Sequence, residues 1–340
     1  MNFFGLDIGS HSLKIAQVEK GKDKARLIAF GSAPAPPRGL LSEAEADLTA
    51  LAEAIKKLHQ EAKITTRNVA VALPEDKVFT KIVTFPKLSE EELKSAIKWE
   101  AEQYIPIPLD EIALDYQIVG ETKVGVAEKI EVLLVAAPKR LIEKVLKVLR
   151  VAGLTPVALE TEIIALARSL IAPDSEANLL VDLGARATDM AIVEAGRVVF
   201  TRSIPTAGEA LTRAVAFGLD LEPSQAEEYK KAYGVDPKRL EGKVRGAIGP
   251  VLEVVVKEME KAIQFYQSAK KKQVKRVILA GGTAGLPEVV SLLAKKLSLE
   301  IQVGDPFARL EKDKEILAKI SAGVAPFYAA AIGLALKDVG

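Results

Sequence analysis

The stretch Phe4-Gly5-Leu6-Asp7-Ile8-Gly9-Ser10-His11-Ser12-Leu13-Lys14 is a short apolar run that ends in Asp-x-Gly-Ser and resumes after a tight turn. The chain writes it again 175 positions later, as Leu179-Leu180-Val181-Asp182-Leu183-Gly184-Ala185-Arg186-Ala187-Thr188-Asp189. Asp7 aligns with Asp182, Gly9 with Gly184, Val18-Glu19 with Val193-Glu194 and Gly21 with Gly196. Self-similarity at long period implies repeated structural units. Two strand–turn–strand units with an aspartate at each turn predict two facing phosphate loops with a cleft between them. A phosphate chain needs backbone N–H donors, hydroxyls and a cation to offset its charge. Glycine lets the backbone come close. Ser10, Ser12 and Lys14 supply polar contacts in the first loop, Arg186 and Thr188 in the second. Asp7 and Asp182 facing each other can hold Mg2+ through water, because Mg2+ dehydrates reluctantly. A lone copy would read as an ordinary Asp-Gly hairpin turn; two copies in register, together with the third loop below, favour phosphate loops.

A third loop follows the apolar run Val277-Ile278-Leu279-Ala280 as Gly281-Gly282-Thr283-Ala284. A strand feeding such a turn at a helix start brings backbone next to a ligand, a ribose or an α-phosphate. On its own it reads equally as a plain tight turn. A fourth element is Ala226-Glu227-Glu228-Tyr229-Lys230. Glu227 and Lys230 are three apart and share a helix face. They can clasp a base or ribose from the side, or form a solvated ion pair.

Composition narrows the classes. The 340 residues suffice for two or more domains. Lys+Arg number 47 against Asp+Glu 46, which leaves no bulk charge for nucleic acid or an anionic membrane. Cys is 0, which excludes disulfides, thiolate metal sites and a cysteine nucleophile and leans towards a reducing compartment. His11 and His59 are the only histidines, too few for a histidine zinc site, and read as surface or turn residues. The N-terminus lacks a signal-peptide pattern, and no segment approaches the roughly 18–20 apolar residues of a membrane span. Val324 to Leu336 reads as a buried Ala-rich helix. Neither GxxxxGK[ST] nor GxGxxG occurs.

In chain order, strands are predicted at Phe3–Ile8, Lys14–Glu19 and Arg26–Phe30, then an extended Pro34/Pro36/Pro37 link and a helix from Glu43 to Glu61. Asn68–Leu73 is a strand. Ser89-Glu90-Glu91-Glu92 has capping-box spacing and opens a helix whose stripe Leu93, Ile97, Trp99 and Tyr104 reads mostly as core. Ile105-Pro106-Ile107-Pro108 ends it and can form one wall of a peptide groove. Ile112–Val119 and Lys129–Ala137 read as a hairpin with a long turn, followed by a helix Leu141–Val151. The basic run Lys270-Lys271-Lys272 with Lys275 and Arg276 reads as a solvated helix end.

The order of these elements resembles the actin-like ATPase superfamily, and the inserted segment is similar to that of FtsA. Gly5-Leu6-Asp7-Ile8-Gly9-Ser10, Ala96-Ile97-Lys98-Trp99-Glu100 leading to Ile105-Pro106, Thr201-Arg202-Ser203-Ile204-Pro205 and Ala207-Gly208-Glu209-Ala210-Leu211-Thr212 resemble the PilM family of type IV pilus assembly, over essentially the whole chain. The resemblance implies an α/β, actin-like two-lobed fold, a duplicated ribonuclease H-like design. Its first lobe would be residues 1–77 with 155–175, its inserted FtsA-type subdomain 78–154, its second lobe 176–221 with 274–340, and its helical nucleotide-side subdomain 222–273. It implies ATP or ADP with Mg2+. Asp7 and Asp182 would flank the Mg2+–phosphate centre, with Gly9, Ser10, Lys14 and Gly184 along the phosphates. Glu227 and Lys230 would hold the nucleoside, with Gly281, Gly282 and Thr283 opposite, and Gly208 and Glu209 would close the pocket. Glu162 would orient the attacking water, with Glu160 as runner-up.

The second loop departs from the family, which usually keeps glycines where Ala185-Arg186-Ala187 stands. ATP binding is therefore expected without efficient turnover. The implied partner is the N-terminal cytoplasmic segment of a PilN-like inner-membrane protein, with pilus motor ATPases and a second copy of the chain as further candidates. The expected place is cytoplasmic, tied to the inner membrane only through that partner, because the given chain ends Leu336-Lys337-Asp338-Val339-Gly340 without an amphipathic tail. A filament-forming ATPase of the FtsA or MreB kind and a small-molecule kinase are the alternatives on the same fold.

Overall fold

The computed structural model describes residues 2–22, 24–124, 127–313, 316, 320 and 324–337. Two of its three sheets repeat one design. β1 (Phe4–Ile8), β2 (Ser12–Glu19), β3 (Arg26–Pro34), β4 (Asn68–Leu73) and β8 (Thr155–Thr161) lie in the order β3-β2-β1-β4-β8. β9 (Asn178–Leu183), β10 (Thr188–Glu194), β11 (Arg197–Ile204), β12 (Arg276–Ala280) and β13 (Glu300–Val303) lie in the matching order β11-β10-β9-β12-β13. Each begins as an antiparallel meander and continues with two parallel strands. Parallel strands covered on both faces read as continuous apolar runs, and β1 is buried from end to end. The repeat in the sequence is thus a repeat of sheets, and the Asp-x-Gly turns sit at equivalent ends.

The third sheet, β5 (Phe79–Pro86), β6 (Ile112–Val124) and β7 (Ala127–Pro138), is ordered β5-β7-β6. Its strands run further than expected. In place of a long turn after Val119, the ladder continues to Val124 past a bulge between Ile118 and Gly120. The tip itself, residues 125 and 126, lies outside the described residues. The helix α2 (Glu90–Tyr104) opens with the predicted capping box, Ser89 and Glu92 bonding reciprocally. It buries Leu93, Ile97 and Ala101 at fourfold spacing. Trp99 is 67% exposed and Tyr104 44%, against the expected core stripe. Trp99 lies two residues from Ile97, roughly 200° round the helix, and so faces away.

α1 (Glu45–Glu61) covers the first sheet through Leu48, Leu51, Ile55 and Leu58. α3 (Lys139–Val151) adds Val145, Val148 and Leu149 to the same core. The inserted segment is therefore anchored to the first lobe by one helix, whose Lys144 Nζ also donates to the Leu40 and Ser42 carbonyls at 3.2 and 3.0 Å. The second sheet carries α5 (Gly208–Leu219), α6 (Pro223–Tyr233), with proline at its start, and the long α7 (Lys243–Lys270). The basic run at the end of α7 is paired rather than simply solvated: Lys270 meets Glu131, Lys272 meets Glu194, and Lys275 Nζ lies 3.2 Å from Glu176. The Gly-Gly-Thr loop enters a 3₁₀ turn, Gly282–Gly285, and α8 begins only at Val289 and runs to Leu297.

α4 (Glu162–Leu170) follows β8, and the chain closes with α9 (Ala329–Ala335), every residue of which is buried. Residues 274–340 were expected in the second lobe. Yet Ala331, Ile332 and Ala335 join Ala16, Val18 and Leu27 of the first sheet in one cluster. Small residues permit this: a Cβ at Gly333 would overlap the Ala165 carbonyl of α4, and one at Gly5 the Ala331 carbonyl. The expected absence of an amphipathic tail rests on residues 336–340, of which 338–340 lie outside the described residues. Among the described residues no helix is long and apolar enough to cross a membrane.

Replacing Gly333 by Val forces α9 away from α4. Urea unfolding is expected to show a loss of about 3 kcal/mol, the upper range for overpacking a core.

Candidate functional site

A cleft of about 560 Å³ opens between the two repeated sheets. In the first hairpin Asp7 stands directly opposite Lys14 in the β1–β2 register, and Lys14 Nζ lies 2.9 Å from Asp7 Oδ2. Phe327 packs beneath the ammonium, 4.6 Å from ring centre to Nζ. Burial disfavours the charge on Lys14, but Asp7, with Asp182 and Glu162 nearby, outweighs it and raises the pKa. The turn is closed by the Gly9 N–H donating to the Ser12 carbonyl at 3.1 Å.

The second hairpin inverts this charge pattern. Position 189 is the repeat partner of position 14, and Asp189 stands directly opposite Asp182 in the β9–β10 register. Like charges in that position repel. Glu162, the first residue of α4, adds a third carboxylate, and oxygens of Glu162, Asp182 and Asp189 lie within 4.8 Å of one another. Burial raises all three pKa values, and their mutual repulsion adds to it for Glu162 and Asp182. Asp182 and Asp189 reach about 7 and Glu162 stands well above its usual range. Asp189 Oδ1 is buried without a hydrogen-bond partner. Three hard oxygen donors with an orphaned atom among them fit a divalent cation such as Mg2+. Asp189, read from the sequence only as the end of the repeat, thus joins Asp182 and Glu162, whereas Asp7 is committed to Lys14.

The remaining predicted residues sort by place. Gly9, Ser10, Gly184, Arg186, Gly208, Glu209, Glu227, Lys230, Gly281, Gly282 and Thr283 all line the cleft. Thr188 does not. It is wholly buried, and its hydroxyl donates to the Thr206 carbonyl at 2.7 Å. Neighbouring strand residues face opposite ways, so Asp189 in the cleft puts Thr188 behind it. Glu160 is also committed, bidentate to Arg168 at 2.6 and 2.9 Å, with Lys337 at 3.2 Å. Glu227 and Lys230 form a strut rather than a solvated pair. Lys230 is 5% exposed, and its ammonium lies 2.6 Å from Glu227 and donates to the Gly208 carbonyl at 3.1 Å.

The second loop is braced from two further sides. The Gly208 N–H donates to the Gly184 carbonyl at 3.1 Å, and the Thr283 hydroxyl to the same carbonyl at 3.3 Å. Gly281 has φ +82°, and a Cβ there would strike Asp182 and the Leu183 carbonyl. Only glycine admits both that conformation and that approach. Arg186 is held by Glu209, Nε to Oε1 at 2.9 Å, and His11 of the first loop reaches the same oxygen at 3.1 Å.

Sequence reasoning passed over His11, Arg38, Asp76 and Lys77, which also line the cleft. Arg38 has φ +68° and no ion pair among the described residues. Its signal is the turn Pro36-Pro37-Arg38-Gly39. The other three come close only through folding.

The sequence profile of the family described as Type IV pilus assembly protein PilM matches residues 5–339. The chain belongs to the PilM family. A solved PilM-PilN type IV pilus biogenesis complex is similar to it at TM-score 0.85 and 31% identity, over 100% of this chain and 99% of that one. The cell division protein FtsA of Enterococcus hirae is 22% identical over 89% of this chain and 78% of its own length. MreB5 of Spiroplasma citri, solved with AMPPNP, shares the fold at TM-score 0.52 and 14% identity, over 99% and 95% of the two chains. This PilM-family chain therefore has the actin-like α/β fold, with the third sheet inserted between β4 and β8.

The buried carboxyls set a pH dependence. Asp182, Asp189 and Glu162 hold protons more tightly folded than unfolded, so the folded chain binds more protons between about pH 4 and pH 7. Stability then falls as pH rises through that window. Without divalent cations, urea unfolding is expected to show a loss on the order of 2 kcal/mol from pH 6 to pH 8. Asp189→Asn should flatten the profile, and Mg2+ should restore stability at pH 8.

Proposed function

We propose that this PilM-family chain is a nucleotide-gated scaffold of type IV pilus assembly. ATP or ADP with Mg2+ would occupy the cleft, and the N-terminal cytoplasmic segment of a PilN-like inner-membrane protein would dock beside the inserted subdomain. The observation that carries the nucleotide half is the pairing of the two hairpins across one cleft. The first presents Lys14, the second presents Asp182 and Asp189, with Glu162 between. A polyphosphate with its cation suits both: the cation would meet the three carboxyls, and the phosphates would meet the Gly9 turn beside the neutralised Asp7–Lys14 pair. Mg2+, when bound, would offset the three carboxylates and the phosphate charge together.

The chain's own residues favour holding over turnover. Burial, and crowding by Asp7, Asp189 and Asp182, make Glu162 keep its proton well above the usual carboxylate range. A protonated or cation-bound carboxyl is a poor acceptor for a proton from water. Arg186 stands where a glycine would leave the loop open, and its guanidinium is already engaged. Titration calorimetry is expected to give MgATP binding that Asp182→Ala or Asp189→Ala weakens by tenfold or more, about 1.4 kcal/mol. Phosphate release should stay near the no-protein control. No heat with any nucleotide would overturn this half.

The partner half rests on likeness to the PilM-PilN complex and on the inserted subdomain. There Ile105 is buried with Ala101 and Ile112, while Pro106 and Pro108 stay exposed and Ile107 and Leu109 are half-buried. This apolar, non-helical link suits an extended peptide better than it suits water. The inner-membrane association would then be indirect, through the partner. A PilN-like N-terminal peptide is expected to bind the purified chain, and Ile107→Asp to weaken it about tenfold. Unchanged affinity in that variant would place the peptide elsewhere.

A further inference from the structure

Arg186 and His11 come from opposite lobes, yet both meet one oxygen, Glu209 Oε1, at 2.9 and 3.1 Å. Arg186 lies in the second phosphate loop and His11 in the first. Glu209 is the second residue of α5, and its own N–H is tied to the Ala185 carbonyl at 2.7 Å. The carboxylate is thus presented rigidly at the mouth of the cleft. Arg213 Nη1 lies farther off, 3.8 Å from Glu209 Oε2, and is 72% exposed. We infer that Glu209 is an internal stand-in for phosphate: it occupies Arg186 and His11 across the cleft, and the terminal phosphate of a nucleotide takes them over by displacing it.

The chemistry supports exchange rather than addition. A guanidinium and an imidazole aimed at one oxyanion form an anion site, and carboxylate and phosphate compete for such donors by charge and geometry. The contacts are partly exposed, with Glu209 at 29% and Arg186 at 40%, so water can enter and the exchange is accessible. The deeper cations differ. Lys14 and Lys230 are nearly buried and held by Asp7 and Glu227. The Glu209 clasp is therefore the part of the cleft that an incoming phosphate can open. It also links the lobes directly, so its release would free the first loop from α5. Glu209 would then oppose nucleotide rather than bind it, and His11, which no motif singled out, would become a contact that counts phosphates.

The inference rests on the nucleotide reading above, and adenosine separates the two. MgATP and adenosine are titrated into the full chain and into Glu209→Gln, Arg186→Ala and Glu209→Gln/Arg186→Ala. Glu209→Gln is expected to bind MgATP about fivefold more tightly, the scale of a partly exposed ion pair, with adenosine unchanged. Arg186→Ala should weaken MgATP and spare adenosine, and the double variant should lose the gain. Equal or weaker MgATP binding by Glu209→Gln overturns the inference, as does a gain shared by adenosine or retained without Arg186. If MgATP binds the wild type and these outcomes follow, the nucleotide reading survives alone. If no variant binds either ligand, both fall.

Discussion

The cross-strand pair at the mouth of each hairpin decides what the cleft can hold. In the first, Asp7 faces Lys14 and the charges cancel. In the second, Asp182 faces Asp189 and they add. One substitution in the repeat, a lysine against an aspartate at equivalent register, turns a symmetric duplication into an asymmetric site. A neutral pair is stable where it stands. A buried pair of carboxylates is not, and the chain answers by letting both hold protons to about pH 7 or by accepting a cation. Glu162 strengthens that demand, since it adds a third carboxyl where two already repel.

The surrounding loops are built to keep these charges in place. Gly184 is contacted from α5 through Gly208 and from the 3₁₀ turn through Thr283. Gly208 is contacted in turn by Lys230 of α6. Two separate segments thus converge on one peptide of the second loop, and a third supports one of them. Glu227, half-buried, neutralises the lysine that this requires, which explains why Lys230 can be buried at the site rather than exposed on a helix surface. Preorganisation of this kind lowers the ordering cost a ligand must overcome.

Much of this was legible beforehand. The duplication showed in the Asp-x-Gly repeats, because strand–turn–strand units write local patterns. The capping box at Ser89 did the same for α2. Thr188 was misread because a loop motif says nothing of the alternation that begins once β10 resumes. Asp189 was passed over for the same reason, although its alignment with Lys14 was in plain view. Trp99 was placed in the core by hydrophobicity when its helical phase pointed outward. The packing of α9 on the first sheet was hidden because it depends on Gly5, Gly333 and Ala165, whose absence of bulk carries no periodic signal. The His11–Glu209 contact joins residues almost two hundred positions apart, and no local pattern encodes it.

The same geometry gives the cleft a short mechanical route to the inserted subdomain. The 3₁₀ turn Glu75–Lys77 closes β4 and leads into β5, the first inserted strand. Asp76 and Lys77 line the cleft, while Glu75 is buried behind them, its carboxyl raised to about 7 by that burial. Beside β4, the parallel strand β8 feeds α4, whose first residue is Glu162. The outgoing covalent link therefore passes the carboxylate cluster, whereas the returning one, from α3 into β8, enters at the other end of the sheet, where the Thr155 N–H donates to the Arg67 carbonyl at 2.9 Å. A third link is lateral: Thr201 of β11 donates to the Thr80 carbonyl of β5 at 3.4 Å, and Lys270 of α7 meets Glu131 of β7. Movement of the second lobe relative to the first must strain or re-form these contacts, since the insertion is bound to both. A charge change in the cleft can then reach the inserted surface through one chain crossing and one strand edge, with no extended network required.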